Sequence, residues 1–440
     1  MTWAFPRITL DGLEDSSEII EINEDQVAWI YSTNLFFVPI GCLVSGFLCK
    51  RYGRKRTLQY ANIPLAFGWM LFRFSKSLWQ IYFGLGMFGF LLGCIETSVI
   101  HYTCEISKPK LRGFFVASST LFFIGGALLE DLLSFCFTWR DVALCNFVFP
   151  LAAFNLAILL PESPQYLIEK EDFIEARESL AWFRGWVDAE EVEEEFKEAM
   201  KEVKSDNKLN FFAAFSLITF LFLVQSFGGS ANSEILKMVD SSLNVVFLKI
   251  FVHVLEIVGC LLCAFLVNLI GKRPLTFLTL ILSTLCLTSI AVYGYIRTLS
   301  ESSWIPLTLT LIFLVFSHAG IRILPWMLIG EIFSHERKCL GSALCAAIAY
   351  TSSFLSDKLF ILTTEYLNLT HVFSFYAAIN FVALIILFFV LPETEGKTLV
   401  EAGIGERKLS RRESAEDLFQ VNLTRDENSY KKFANFDSSI

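Results

Sequence analysis

The chain has 440 residues, of which 54% are hydrophobic and 18% charged, with 45 Phe and a mean hydropathy of +0.53. A soluble protein covers its surface with about 25% charged residues, so most of this surface is expected to face lipid. The net charge of −9 excludes nucleic acid as a partner, because that role needs an extended positive face.

Crossing a bilayer as a helix takes about 20 apolar residues. In chain order such runs fall at 27–49, 57–75, 78–103, 113–135, 141–160, 210–235, 244–268, 274–296, 303–329, 339–363 and 371–391. The first follows "DGLEDSSEIIEINEDQ", residues 11–26, which is acidic and holds no Lys or Arg. It leads into "CKRYGRKR", with five cations between Lys50 and Arg56. Further basic connections alternate with cation-poor ones: Lys108, Lys110 and Arg112; the long 161–208 segment; Lys272 and Arg273; Arg337 and Lys338. Short loops rich in Lys and Arg stay on the cytoplasmic side. These connections and the polar tail from Ile404 are therefore expected in the cytoplasm, and residues 11–26 outside. Eleven spans put the two ends of the apolar region on opposite sides. "MTWAFPRITL" is then left outside with no signal peptide before it, and a further inward-to-outward span is expected ahead of Met1.

The segment 161–208 reads as two amphipathic helices, "EDFIEARESLAWFRG" and "DAEEVEEEFKEAMKEVK", with Val192, Phe196, Met200 and Val203 as the apolar stripe of the second. The eleven Cys are scattered through the spans and meet no His/Cys partner at ligand spacing. They read as packing residues, and no metal or cofactor is expected. No GxxxxGK[ST] run and no Ser/His/Asp arrangement emerges, which points away from a nucleotide-driven pump and from an enzyme.

The chain repeats itself. "FLCKRYGRKRTL" returns as "FLVNLIGKRPLT", matching Gly53 to Gly271. "EISKPKLRG" returns as "EIFSHERKCLG", matching Glu105 to Glu331, and "PESPQYL" returns as "PETEGKTL", matching Pro161 to Pro392. Three ordered matches define one duplicated unit, with five spans in the first copy and six in the second. The repeat thus asks for the same additional first span. Two six-span units joined by a long cytoplasmic segment follow the parallel-repeat plan of one transporter class.

On "PESPQYL", "EARESLAWFRG", "PWMLIGEIF" and "PETEGKTL", the chain resembles the sugar porters of the major facilitator superfamily over about residues 1–403, nearest their insect facilitated trehalose transporter-like branch. "MTWAFPRI" resembles the end of that family's first span. The resemblance implies an all-α membrane protein with a major facilitator fold, two parallel six-helix repeats, and eleven spans present here. Residues 1–160 would form the first half, 161–208 a cytoplasmic helical linker, 209–403 the second half and 404–440 a disordered cytoplasmic tail. It implies a multi-pass plasma-membrane carrier that moves a sugar or related polyol by alternating access. The partners implied are that small solute and the lipid bilayer. The rival is a non-transporting receptor or sensor, or an inactive truncated paralogue.

The same resemblance assigns a gate network to Arg54, Lys55, Glu105 and Arg112 and to Lys272, Arg273, Glu331 and Lys338, ion pairs that hold the halves together and break as they rock. The family's acidic residue in each Gly-basic loop is replaced, by Lys50 and Asn268, which suggests a weaker latch or one that uses other partners. Thr120, Gln225, Ser226, Trp326 and Phe354 fall where the family binds substrate. "QSFGGSAN" keeps Gln225 but puts Ser226 and Ala231 at other expected amide positions, and Ala349-Tyr350 replaces Asn-Trp.

Intramembrane polar residues add Glu96, Asn232, His253, Glu256, His318, Arg322 and Asn380 to this pocket. His318, Arg322 and Trp326 are spaced i, i+4, i+8 and are expected on one helix face. Buried charge in a membrane is costly, so Glu256 is expected to pair with Arg322. Asn368, in Asn-Leu-Thr, is a glycosylation candidate on a short external loop.

Overall fold

Backbone amides have no water to bond in lipid, so apolar runs of this length fold as helices. Where they are described, the eleven expected segments are helical, with a break inside 303–329, in the computed structural model, which describes residues 1–13, 23–188, 190–204, 211–228, 245–296, 304–333 and 335–392. The first copy of the repeat contains α1 (Phe5–Leu13), α2 (Glu24–Tyr52), α3 (Arg54–Phe74), α4 (Leu78–Ile106), α5 (Pro109–Cys136) and α6 (Trp139–Leu159). The linker contains α7 (Pro164–Glu169), α8 (Phe173–Phe183) and α9 (Glu193–Lys204). The second copy contains α10 (Phe211–Phe227), α11 (Val245–Ile270), α12 (Lys272–Ile296), α13 (Trp304–His318), α14 (Leu324–Ile329), α15 (His335–Tyr366) and α16 (Leu369–Val390).

Among the described residues, eight helical stretches are long and apolar enough to cross a membrane, and α10 and α13 are shorter apolar helices. The eleventh is α3, made more polar by its Arg-Lys-Arg first turn, Asn62 and Arg73. The outward faces carry apolar side chains such as Phe67, Phe83, Phe265 and Phe389, each more than 60% exposed. Water would penalise that surface by its full hydrophobic cost and lipid does not. Most of residues 11–26, and all of Asn232 and of the tail 404–440, lie outside the described residues.

The sequence repeat reappears as repeated geometry. Gly53 and Gly271 each turn one helix into the next at φ 100° and 85°, a region that glycine enters without a Cβ clash. At Gly53 a Cβ would also sit 2.4 Å from Glu162 Oε2. Next to each glycine a cation reaches a carbonyl near the end of its copy's last helix, Lys55 Nζ to Ile158 O at 3.4 Å and Arg273 Nη2 to Phe388 O at 2.9 Å. The copies meet along α2 against α15 and α5 against α11.

The linker has its own small core of Leu167, Ile168, Ala176, Leu180, Val192 and Phe196, with Met200 and Val203 packed on it. It docks on the first copy: Arg184 Nη1 donates to Ile106 O at 3.2 Å and Tyr102 Oη to Pro161 O at 2.7 Å. In α1, Phe5 is fully buried and meets Trp69 and Phe72 edge-on at 4.8 and 4.9 Å.

Candidate functional site

Two clusters concentrate the buried polar chemistry, one at the linker end and one at mid-depth. At the linker end the Glu162 carboxylate accepts from the backbone amides of Arg54, Lys55 and Arg56 at 3.1, 2.9 and 3.4 Å. It satisfies donors that the first turn of α3 otherwise leaves open and meets the positive end of that helix.

Beside it Arg54 donates to Glu105 Oε1 through Nε at 3.1 Å and Nη2 at 2.9 Å, with side chains 1% and 0% exposed. Ser163 Oγ donates to the other Glu105 oxygen. Arg54 also lies 3.6 Å from Glu169 and 5.1 Å from the Tyr166 ring. The second copy repeats the pair with Lys272 Nζ on both oxygens of Glu331 at 2.7 and 2.8 Å.

Two contacts at this end join the copies. Lys338 Nζ stands 3.9 Å from Glu105 Oε1, and His101 Nε2 is 2.5 Å from Ser342 Oγ. Gly46 on α2 lies so close to α15 that a Cβ would be 2.7 Å from Ala343 and 2.9 Å from Cys339 O. The linker end is therefore closed. Of the eight residues expected here, Arg54, Glu105, Lys272, Glu331 and Lys338 come together around two carboxylates. Arg112 instead donates to Cys104 O at 3.1 Å, while Lys55 and Arg273 hold the helix-end carbonyls described above. Lys50 and Asn268 are exposed, so the replaced acidic positions do not face the network. Glu162, Ser163 and Glu169 supply partners instead. Glu162 sat in the repeated Pro-Glu motif, where its role as a helix-end anion had no signal of its own.

At mid-depth a cavity of about 550 Å³ lies between the copies. Glu96 on α4 and Thr120 on α5 line it from the first copy. Gln225, Ser226, His253, Glu256, His318, Arg322, Trp326 and Tyr350 line it from the second. Its aromatic wall places Trp326 4.8 Å from Phe222 and 6.0 Å from Tyr350, and Tyr350 6.1 Å from Trp3. The Tyr350 hydroxyl donates to Glu96 across the cavity. Ser226 Oγ lies 2.9 Å from Ser352 Oγ, whereas Gln225 Oε1 is buried with no hydrogen-bond partner among the described residues.

The structure differs from two expectations here. Phe354 is not part of the lining. The stretch His318 to Trp326 is not one helix: α13 stops at His318, Arg322 N bonds back to Ser317 O at 3.1 Å, and α14 restarts at Leu324. All three side chains still reach the cavity, but through a broken segment rather than a helical stripe. Glu256 meets His253 Nδ1 at 2.8 Å and His318 Nε2 at 3.7 Å in addition to facing its expected partner Arg322. His253 Nε2 in turn faces Asp131 of α5 at 3.3 Å. Trp3 and Ser353 line the cavity without having been singled out. Trp3 lies in the quoted "MTWAFPRI", but neither residue carries charge, so no intramembrane polar signal marked them. Asn380, from the same polar set, donates to Gly228 O at 2.7 Å beyond the lining. Asn368 is exposed at the start of α16, two residues after α15 ends.

Three comparisons bear on this geometry. Residues 13–404 match the family model described as "Sugar (and other) transporter". The chain is 24% identical over 402 residues to the facilitated trehalose transporter Tret1 of Bombyx mori, covering 87% of this chain and 79% of that one. It is also 24% identical to the Tret1 of Apis mellifera ligustica, covering 88% and 81%. Among solved structures it superposes on the proton:xylose symporter XylE bound to 6-bromo-6-deoxy-D-glucose with a TM-score of 0.80 at 18% identity, covering 91% and 94%. With a repeated helical bundle, a cavity shared by both copies and a family match over nearly the whole apolar region, the chain belongs to the sugar (and other) transporter family and has the major facilitator fold.

Proposed function

We propose that the protein is a facilitative carrier of the plasma membrane that moves a trehalose- or glucose-like sugar, or a related polyol, by alternating access. The observation that carries this reading is the cavity at mid-depth whose walls come from both copies of the repeat. Its volume of about 550 Å³ falls within the range of about 300–1,000 Å³ that holds small ligands. Trp326 and Tyr350 offer flat faces to a sugar ring. Thr120, Ser226 and the open acceptor of Gln225 offer hydroxyl partners, and a buried acceptor with no partner favours a ligand that donates to it. Glu256, His318 and Arg322 complete the wall. Residues 1–160 and 209–403 move as the two halves, and 161–208 join them. The linker and the tail 404–440 lie in the cytoplasm, because the basic connections cluster there. Relatives named as trehalose transporters support the solute class.

Uptake of labelled trehalose and glucose into cells expressing the protein tests this. The expected result is saturable uptake above cells lacking it. Uptake at the level of empty cells, with the protein verified at the surface, contradicts it for these solutes. The Tyr350–Glu96 bond across the cavity favours a second reading, a receptor that binds solute without moving it. Saturable binding with no flux would select that reading.

A further inference from the structure

Four titratable side chains run from the seam between α5 and α11 into the cavity: Asp131, His253, Glu256 and His318. Asp131, Glu256 and His318 are 4%, 4% and 6% exposed. Both ring nitrogens of His253 face carboxylates, Nδ1 hydrogen-bonded to Glu256 Oε2 at 2.8 Å and Nε2 in ion-pair contact, without hydrogen-bond geometry, with Asp131 Oδ2 at 3.3 Å. A neutral imidazole has one donor and one acceptor nitrogen, and an ionised carboxylate only accepts. Without an extra proton, one of these buried contacts sets acceptor against acceptor. One proton, on the ring or on a carboxylate, resolves it. His318 extends the line: its Nδ1 donates to Leu314 O at 3.0 Å, which turns Nε2 toward Glu256 at 3.7 Å.

The set is assembled from both copies of the repeat. Asp131 lies near the end of α5 that is remote from the linker, and His253 and Glu256 lie on α11. We propose that Asp131, His253 and Glu256 form a proton-binding site that is complete only while the end opposite the linker is closed, so that the carrier's conformational cycle is proton-linked. The proposal rests on the carrier reading, since it needs that end to open and close. Opening withdraws Asp131 and leaves His253 one carboxylate, which a neutral ring satisfies by donating through Nδ1. The open state then holds one proton fewer. By linkage, acid favours the closed end and alkali the open one.

Other charges surround the site. Glu130 on α5 accepts from Asn146 of α6 at 2.8 Å, and the amino group of Met1 faces Glu130 and Asp131. Lys249, one turn before His253, pairs with Asp11 at 3.5 Å. Arg322 faces Glu256 and His318, and Asp357 of α15 faces Arg322. The cations of α12, Lys272 and Arg273, lie at its other end. None of these stands between His253 and its two carboxylates.

The test reads conformation without any solute. Spin labels are placed at Phe135→Cys and Phe247→Cys, exposed positions on α5 and α11 whose rings are 6.3 Å apart. Cys136 and Cys145, the native thiols that are not buried among the described residues, are replaced by Ser. From about pH 8.5 to about pH 5.5, the short-distance population should grow. The open-to-closed ratio should fall by at most about tenfold per pH unit, the limit for one linked proton. Asp131→Asn and His253→Gln should each flatten that slope. A flat series in the unsubstituted set overturns the proposal by itself, as does a slope that survives in either variant. A pH-dependent distance without uptake of trehalose or glucose keeps the proton site and removes transport of these solutes. Uptake with flat distances does the reverse.

Discussion

A carboxylate out of water is tolerated only where cations or donors meet it, and Glu105 is met from several directions. Arg54 and Ser163 come from its own copy and linker, and Lys338 comes from the other copy. Removing one partner from such a buried set commonly costs about 3–5 kcal/mol. Glu105→Gln, and Glu331→Gln in the twin pair, should loosen the linker end and lower the thermal midpoint. Cys339, 6% exposed at this end, reports the opening, and its labelling by a water-soluble thiol reagent should accelerate several-fold in either variant. Equal labelling rates in both variants and the parent would show that these charges do not hold the halves. At mid-depth, contacting residues couple by about 0.5–3 kcal/mol in double-mutant cycles. Glu256 should therefore couple more strongly to His253, at 2.8 Å, than to Arg322. A cycle on unfolding midpoints that gives the opposite order would make Arg322 the stronger partner of Glu256. Helical spacing showed which polar residues turn inward. It did not show which of them meet, because partner choice depends on how helices distant in sequence are rotated against one another.

The helix-to-helix turns were legible because glycine next to cations is a local signal. Gly53 and Gly271, matched by the repeat, both adopt positive φ. An alanine there costs on the order of 1–3 kcal/mol in backbone strain. At Gly53 its methyl would also displace the Glu162 carboxylate that closes the first turn of α3. Gly53→Ala should thus lower the unfolding midpoint measurably, and an unchanged midpoint would mean that the turn relaxes freely. The break between α13 and α14 was not legible. "SHAGIRILPW" keeps the apolar spacing of a continuous helix, and only Gly320 and Pro325 hint at an interruption. Pro325 has no amide hydrogen to donate and fits the first turn of a new helix, which is where α14 begins.

Across the whole molecule the sequence repeat, the shared cavity and the closed linker end describe one arrangement, two copies packed around a central cavity. The number of spans and the repeat were readable from apolar runs and motif order, whereas the depth and outline of the cavity depend on packing that no run length encodes. Close approach of α2 to α15 at Gly46 gives a steric test of closure. Gly46→Leu should wedge the linker end open and raise Cys339 labelling, and no change would place the hinge contacts elsewhere. Epitopes inserted after Asp188 in the linker and between residues 297 and 303 should label from opposite sides of intact cells, the linker one only after permeabilisation.

Counterflow across a sealed membrane tests alternating access itself. Vesicles reconstituted with the protein are loaded with unlabelled trehalose, or glucose in a parallel series, and diluted into the labelled sugar. A carrier whose single cavity opens to one side at a time should draw label inward transiently above its outside concentration, and protein-free vesicles should not. Label that only equilibrates, at the same rate with and without internal sugar, would contradict exchange through an alternating cavity.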